Sequence, residues 1–310
     1  MNVTLEVNVY WPLYTIYPGS TVFFWALYLF IAPWASKRWV VEYECWTLSQ
    51  QKVWRQTIAF LLHSWLLVVG LVCVLAIPSE GEQLRHAGLL PHYSAAAYAD
   101  VCLSLGYMSF TLPWSIYGYF WLKQRDLGTN KGLILHHTAV VVAELVYLLT
   151  QTSPWYGALA LVLFEVSNLN GAPHMLMTQK KYSGIWHLLN GLMFLVTFTG
   201  SRVIACTVVG AFYIKDYVEM QSSDVGIWVM VGVSLVCYCI LMGLSYMWFR
   251  REVMTVAHFE LKRYFGQHCA RAGSEPAPLV MSYSQPTQGV LLGALWQITC
   301  VVAPRVSRPS

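Results

Sequence analysis

Paired histidines and two carboxylates lie inside stretches that are otherwise apolar. Leu135-His136-His137 opens an apolar run over residues 139–149 that only Glu144 interrupts. A turn at Ser153-Pro154 leads to a second run, 161–177, carrying Glu165, Ser167 and His174. His63 and Arg202 sit in two further apolar runs. Ionisable groups in segments long enough to cross a bilayer are costly to keep there. They face a bundle interior or a wet cavity and mark a functional site. A neutral imidazole so placed could act as a general base or, less often, as a nucleophile toward an acyl group. The plainer alternative is a pair of helix-end histidines wetted by the interface.

Helix geometry sorts these residues further. Neighbouring side chains diverge by about 100°, so His136 and His137 cannot face one point. His137 and Glu144, seven apart, share a face, which makes His137 the expected inward residue. Counted from the ends of the apolar runs, His63, His136, His137 and His174 share a layer roughly 6–9 Å from the cytosolic edge. Glu144 and Glu165 lie deeper, and Arg202 falls on the luminal half of its run. Arg202 is expected to neutralise Glu165 or Glu144 across helices, as a structural ion pair or beside a lipid headgroup. Ser167 is on a different face from Glu165 and is expected to bridge helices by hydrogen bonding. His63 alone reads as a satisfied histidine between spans. No His-x-x-His or His-x-x-x-His pair sits on one helix, so no metal is expected.

The elements that must position these groups are membrane helices. Apolar residues make up 57% of the 310-residue chain and charged ones only 11%, well below the quarter typical of soluble domains. The fold class is therefore all-α, a polytopic transmembrane helical bundle. Apolar runs near residues 18–36, 57–77, 96–122, 132–150, 155–178, 184–214 and 225–249 predict about seven spans of roughly twenty residues each. The first could instead pack peripherally. The eight cysteines form no Cys-x-x-Cys, so neither a disulfide framework nor zinc is indicated; Cys269 is a weak palmitoylation candidate. Trp34, Trp39, Trp54, Trp155 and Trp248 fall near span ends, as an aromatic belt would.

Basic residues give an orientation. Lys37, Arg38, Lys52, Arg55, Lys123, Arg125, Lys131, Lys180, Lys181 and the cluster from Arg250 to Arg271 fall in loops on one side, and the alternate loops hold only Arg85 and Lys215. This alternation predicts a luminal N-terminus and a cytosolic C-terminus, so the net charge of +4 calls for no nucleic-acid partner. Asn2-Val3-Thr4 is a glycosylation sequon compatible with that topology. The predicted divisions are 1–49 (N-terminus, first span and loop), 50–268 (the bundle) and 269–310. This last stretch is a polar tail expected to be disordered, with an interfacial segment at 290–302.

Taken in order, several short stretches resemble a known family. Trp54-Arg55, Leu62-His63-Ser64, Ser104-Leu105-Gly106-Tyr107, Leu135-His136-His137, Phe164-Glu165-Val166-Ser167, Asn190-Gly191, Phe198 and Arg202 follow the pattern of the TLC domain over about residues 53–264. That domain is shared by Lag-type ceramide synthases, translocating-chain-associating proteins and small TLC-domain proteins. Ceramide synthases carry a His-Asp and a further Asp downstream of the paired histidines. Leu148-Leu149-Thr150-Gln151-Thr152-Ser153 stands there in this chain. The resemblance therefore implies a non-synthase TLC-domain protein of the endoplasmic reticulum: one N-terminal span plus a six-helix bundle around a cavity open to the cytosol.

Three functions are open on this reading. The first is binding or handling a membrane lipid or acyl chain in lipid homeostasis, with His63, Glu144, Glu165, Ser167, His174 and Arg202 at the polar end. The second is an acyl-CoA-dependent N- or O-acyltransferase using His136 or His137, with acyl-CoA as co-substrate and no resident cofactor; basic loop residues would attract its phosphates. The third is an escort for client proteins. A homodimer is compatible with all three.

Overall fold

The computed structural model describes residues 11–121, 131–182, 184–220 and 224–250, and every regular element among them is helical. Asn2, Lys123, Arg125, Cys269 and the tail with its 290–302 segment lie outside the described residues. In chain order the helices are α1 (Trp11–Trp39), α2 (Leu48–Ala76), α3 (Pro78–Ala87), α4 (Ala95–Phe120), α5 (Lys131–Thr150), α6 (Pro154–Val166), α7 (Asn168–Gln179), α8 (Ile185–Glu219) and α9 (Val225–Trp248). Five of them, α1, α2, α5, α8 and α9, are long and apolar enough to cross a membrane. That is the make-up of a multi-pass membrane protein.

The runs predicted at 96–122 and 155–178 fall outside those five, for different reasons. α4 is 26 residues long but intersperses Asp100, Ser104, Ser109, Thr111 and Ser115 among its apolar positions. The other run divides at Ser167 into helices of 13 and 12 residues. Pro173, inside α7, cannot donate to the Leu169 carbonyl and crowds it, and the Ser167 carbonyl takes the amides of Asn170 and Gly171 in a tight turn.

Caps set the other ends. Thr47 and Gln50 form a reciprocal capping box at the start of α2, satisfying donors the helix cannot. α2 therefore begins well before the apolar run. Ser94 caps α4 and Asp224 caps α9. α1 and α8 each contain a wide π-type turn, Leu27–Ile31 and Phe198–Ala205. The first precedes Pro33; the second carries Arg202.

Packing arranges seven of the elements in a circuit. α2 packs on α4, α4 on α5, α5 on α9, α9 on α8, α8 on α6 and α7, and these return to α2. α1 lies along the outside of α4 yet contributes to the core. Phe24 is fully buried, 5.1 Å from Tyr107 and 6.0 Å from His63 between ring centroids. α1 is thus an integral element rather than a peripheral one. Large apolar side chains such as Phe30, Leu149, Val196 and Phe212 cover the outer faces, as lipid contact requires. Trp34 and Trp39 are exposed as a belt would have them. Trp54 is buried, its indole donating to Ser36 Oγ at 2.8 Å; it clamps α1 to α2.

Candidate functional site

Glu165 sits at the last turn of α6, where the chain breaks. Its Oε2 accepts from Ser64 Oγ at 2.6 Å and from Asn168 Nδ2 at 2.8 Å. His63 Nδ1 stands 3.8 Å from the same oxygen, too far for a hydrogen bond. The His63 ring lies flat on Tyr107, centroids 4.0 Å apart, with Nε2 3.4 Å from Ser104 Oγ. A carboxylate clamped through one oxygen by two short bonds is held in a single orientation.

Arg202 completes this cluster indirectly. Its Nη2 donates to Asn168 Oδ1 at 2.9 Å, and its guanidinium lies over Phe198 and Phe164, 5.2 and 6.0 Å from their centroids. The expected arginine–carboxylate pair is therefore a relay: the Asn168 amide accepts from the cation and donates to the anion. Each bond has one charged partner, the stronger kind. Asn168 was missed by sequence reasoning. The available signal was its spacing, three residues after Glu165, which brings two polar groups onto neighbouring positions of one helix face.

Depths differ from the sequence reading. Because α2 starts at Leu48, His63 sits beside the middle of a 29-residue helix, not near its end. Arg202 is the central residue of the 35-residue α8, not on its outer half. His174 packs against His187, with 4.4 Å between ring centroids; His187 Nε2 lies 3.0 Å from Thr178 Oγ1. Ser167 is fully buried at the helix break, and its hydroxyl finds no partner among the described residues. Among the described residues the hydroxyl bridges no helices, while the Ser167 carbonyl accepts two amides.

Both paired histidines are buried, and they part as the 100° rule demands. His136, rather than His137, lines the central cavity and packs on Trp248 at 5.3 Å. His137 is buried too but does not line that cavity. The inward choice reverses because the cavity-lining face of α5 runs through His136, Val140, Ala143, Glu144 and Tyr147. Glu144 marks the edge of that face, and His137 lies just beyond it.

The cavity has a volume of about 80 Å³ and is lined by α2, α4, α5, α6, α8 and α9. Leu71, Val101, Met108, Val140, Leu161 and Leu241 make most of its wall apolar. Ser104, His136, Glu144 and Glu165 supply the polar part. Neither Glu144 oxygen has a hydrogen bond of ordinary geometry among the described residues, nor has His136 Nδ1, although the Ser104 hydroxyl is near enough to interact with Glu144. Buried groups of this kind are ordinarily satisfied, so here they are available to a guest. Among the described residues no three His, Cys, Asp or Glu side chains converge to hold a metal. Nothing among the described residues orients the His136 ring through Nδ1, as a third group does in nucleophile–base arrangements. No family model, curated protein or solved structure matches this chain.

Proposed function

We propose that this chain is a membrane protein that binds and handles a lipid or acyl chain, in the manner of the non-synthase TLC-domain proteins it resembles. The observation that carries this reading is the cavity. An apolar wall adjoins His136 Nδ1 and the two Glu144 oxygens, which are buried and have no hydrogen bond of ordinary geometry among the described residues. An apolar body with one polar group is the chemistry that complements such a lining. In this reading α4 and the broken pair α6–α7 also cross the bilayer, giving seven spans. The basic loops face the cytosol, and the membrane is that of the endoplasmic reticulum. Glu165, ordered by Ser64 and Asn168, and Arg202 behind it form the wall of the headgroup end.

One observation favours a second reading, an acyl-CoA-dependent acyltransferase: His136 faces the cavity, where a base would have to be. Against it, no described residue holds the ring through Nδ1, as an orienting partner would for such a base.

The test is mass spectrometry of lipids bound to the purified protein, with and without labelled acyl-CoA. Ala143→Phe, which fills the middle of the cavity beside Glu144, should lower the co-purifying lipid at least about fivefold at unchanged yield; one blocked apolar site accounts for a loss of that order. Labelled product that disappears in His136→Ala would install the acyltransferase reading instead. Equal lipid in wild type and Ala143→Phe would remove the cavity from the function.

A further inference from the structure

The cavity extends far beyond the carboxylates, and its other end is also polar. On α5 its lining runs from His136 to Tyr147, on α6 from Glu165 back to Pro154, and on α4 from Met108 back to Ala97. Each interval is eleven residues of helix, or roughly 16 Å. That is about half the ~30 Å hydrocarbon core, the depth one lipid chain occupies in one leaflet. So small a volume over such a length, about 80 Å³, is a tube one chain wide. It has no room for the two tails of a bilayer lipid.

Chain ends normally meet apolar walls. Here the far end is lined by Tyr147, Thr152, Ser153, Tyr156, Tyr213 and Ser234. The end is built, not loose. Gln151 and Ser153 both adopt left-handed backbone conformations, φ 57° and 56°, a strain that the surroundings must enforce. The Gln151 carbonyl accepts from the His92 amide and the Ser153 amide donates to the Leu89 carbonyl, both at 3.0 Å. Tyr213 donates to Ser153 Oγ at 3.0 Å, and Tyr156 donates to Asp216. These hydroxyls are engaged. Tyr147 differs: it is 7% exposed, it lines the cavity, and its hydroxyl has no partner among the described residues.

We infer that Tyr147 and the Thr152-Ser153 connection form a second polar subsite, which binds an oxygen at the far end of a single-chain amphiphile. The ligand class is a chain with a polar group at each end, such as an ω-hydroxylated alkyl or acyl chain. This rests on the reading of the cavity as a chain-binding site. It follows from where the ligand originates. A chain entering from the bilayer gains little from apolar burial, because lipid tails are as apolar as the wall. Selection must then come from the polar ends, and a hydroxyl-lined end rejects a methyl terminus that leaves Tyr147 unpaired.

The test uses the full chain in lipid nanodiscs with radiolabelled dodecanol bound. Displacement by unlabelled dodecanol is compared with displacement by α,ω-dodecanediol, both as mole fraction in the bilayer. The diol should compete about tenfold better, the discrimination one buried hydrogen bond provides. Tyr147→Phe removes only the unpartnered oxygen; it should keep dodecanol binding and bring the two competitors to within about twofold of each other. Equal competition in the wild type, or a preference that survives Tyr147→Phe, would overturn the subsite while leaving chain binding in place. Failure of dodecanol itself to bind would overturn the chain-binding reading and the subsite with it.

Discussion

Replacing Arg202 by Met should destabilise the protein by about 3–5 kcal/mol, the cost of stranding one partner of a buried charge arrangement. Arg202 is 5% exposed at the centre of α8 and Glu165 is 5% exposed at the end of α6. Among the described residues the Asn168 amide bridges them, at 2.9 Å on one side and 2.8 Å on the other. Methionine keeps much of the volume over Phe164 and Phe198 and removes the charge, so the loss reports electrostatics more than packing. Glu165 would keep its bonds from Ser64 and Asn168 but lose the cation behind the relay. The double variant Arg202→Met/Glu165→Gln should recover at least about 1 kcal/mol relative to the sum of the single changes, since neither charge is then left alone. Unfolding midpoints of the purified protein in detergent read both quantities. An Arg202→Met variant within about 0.5 kcal/mol of wild type would show that the relay contributes nothing to the fold.

The parts of this arrangement that local sequence physics governs were legible, and those set by neighbours were not. Apolar run lengths located the five long apolar helices, and the expense of burying charge singled out Glu144, Glu165 and Arg202, all of which are buried. The depth of His63 was misjudged because counting began at the first apolar residue. Thr47 and Gln50 start α2 earlier, through backbone donors that hydropathy does not register. The break at Ser167 was available in principle from Pro173, whose effect lies one to two turns upstream of itself. Choosing between His136 and His137 was beyond the sequence: a 100° separation says that they diverge, but which of them meets the cavity depends on how α4 and α9 flank α5. Asn168 escaped for a related reason. A neutral amide is cheap enough to pass as an ordinary interhelical residue, and it becomes informative only when a cation and an anion stand on either side.

Gly106→Val should be the most damaging single substitution in the α1–α4 contact, costing about 3 kcal/mol or more. α1 and α4 cross closely because Gly106 has no side chain. A Cβ there would overlap Ser20 Oγ outright, would come within 2.8 Å of Ser20 Cβ and would press on the Thr21 backbone nitrogen at 2.9 Å. The serine hydroxyl cannot simply swing aside, since it donates to the Tyr17 carbonyl at 2.9 Å and approaches the Cys102 carbonyl at 3.3 Å. The backbone contact cannot be relieved by any rotamer. α1 must therefore move away from α4, withdrawing Phe24 from Tyr107 and His63. Loss of that cover would let the His63 ring, now stacked on Tyr107, leave its position near Glu165, so a steric change on the outer seam should reach the site. Gly106→Ala should show the same effect at roughly half the size, and Ser20→Gly should recover part of it, because only the side-chain half of the clash is removed. Protein yield and unfolding midpoints in detergent measure the cost, and the amount of co-purifying lipid measures its reach. Wild-type stability in Gly106→Val would mean that α1 does not seat on α4 at this glycine. A stability loss with unchanged bound lipid would confine α1 to a structural role and separate it from the cavity.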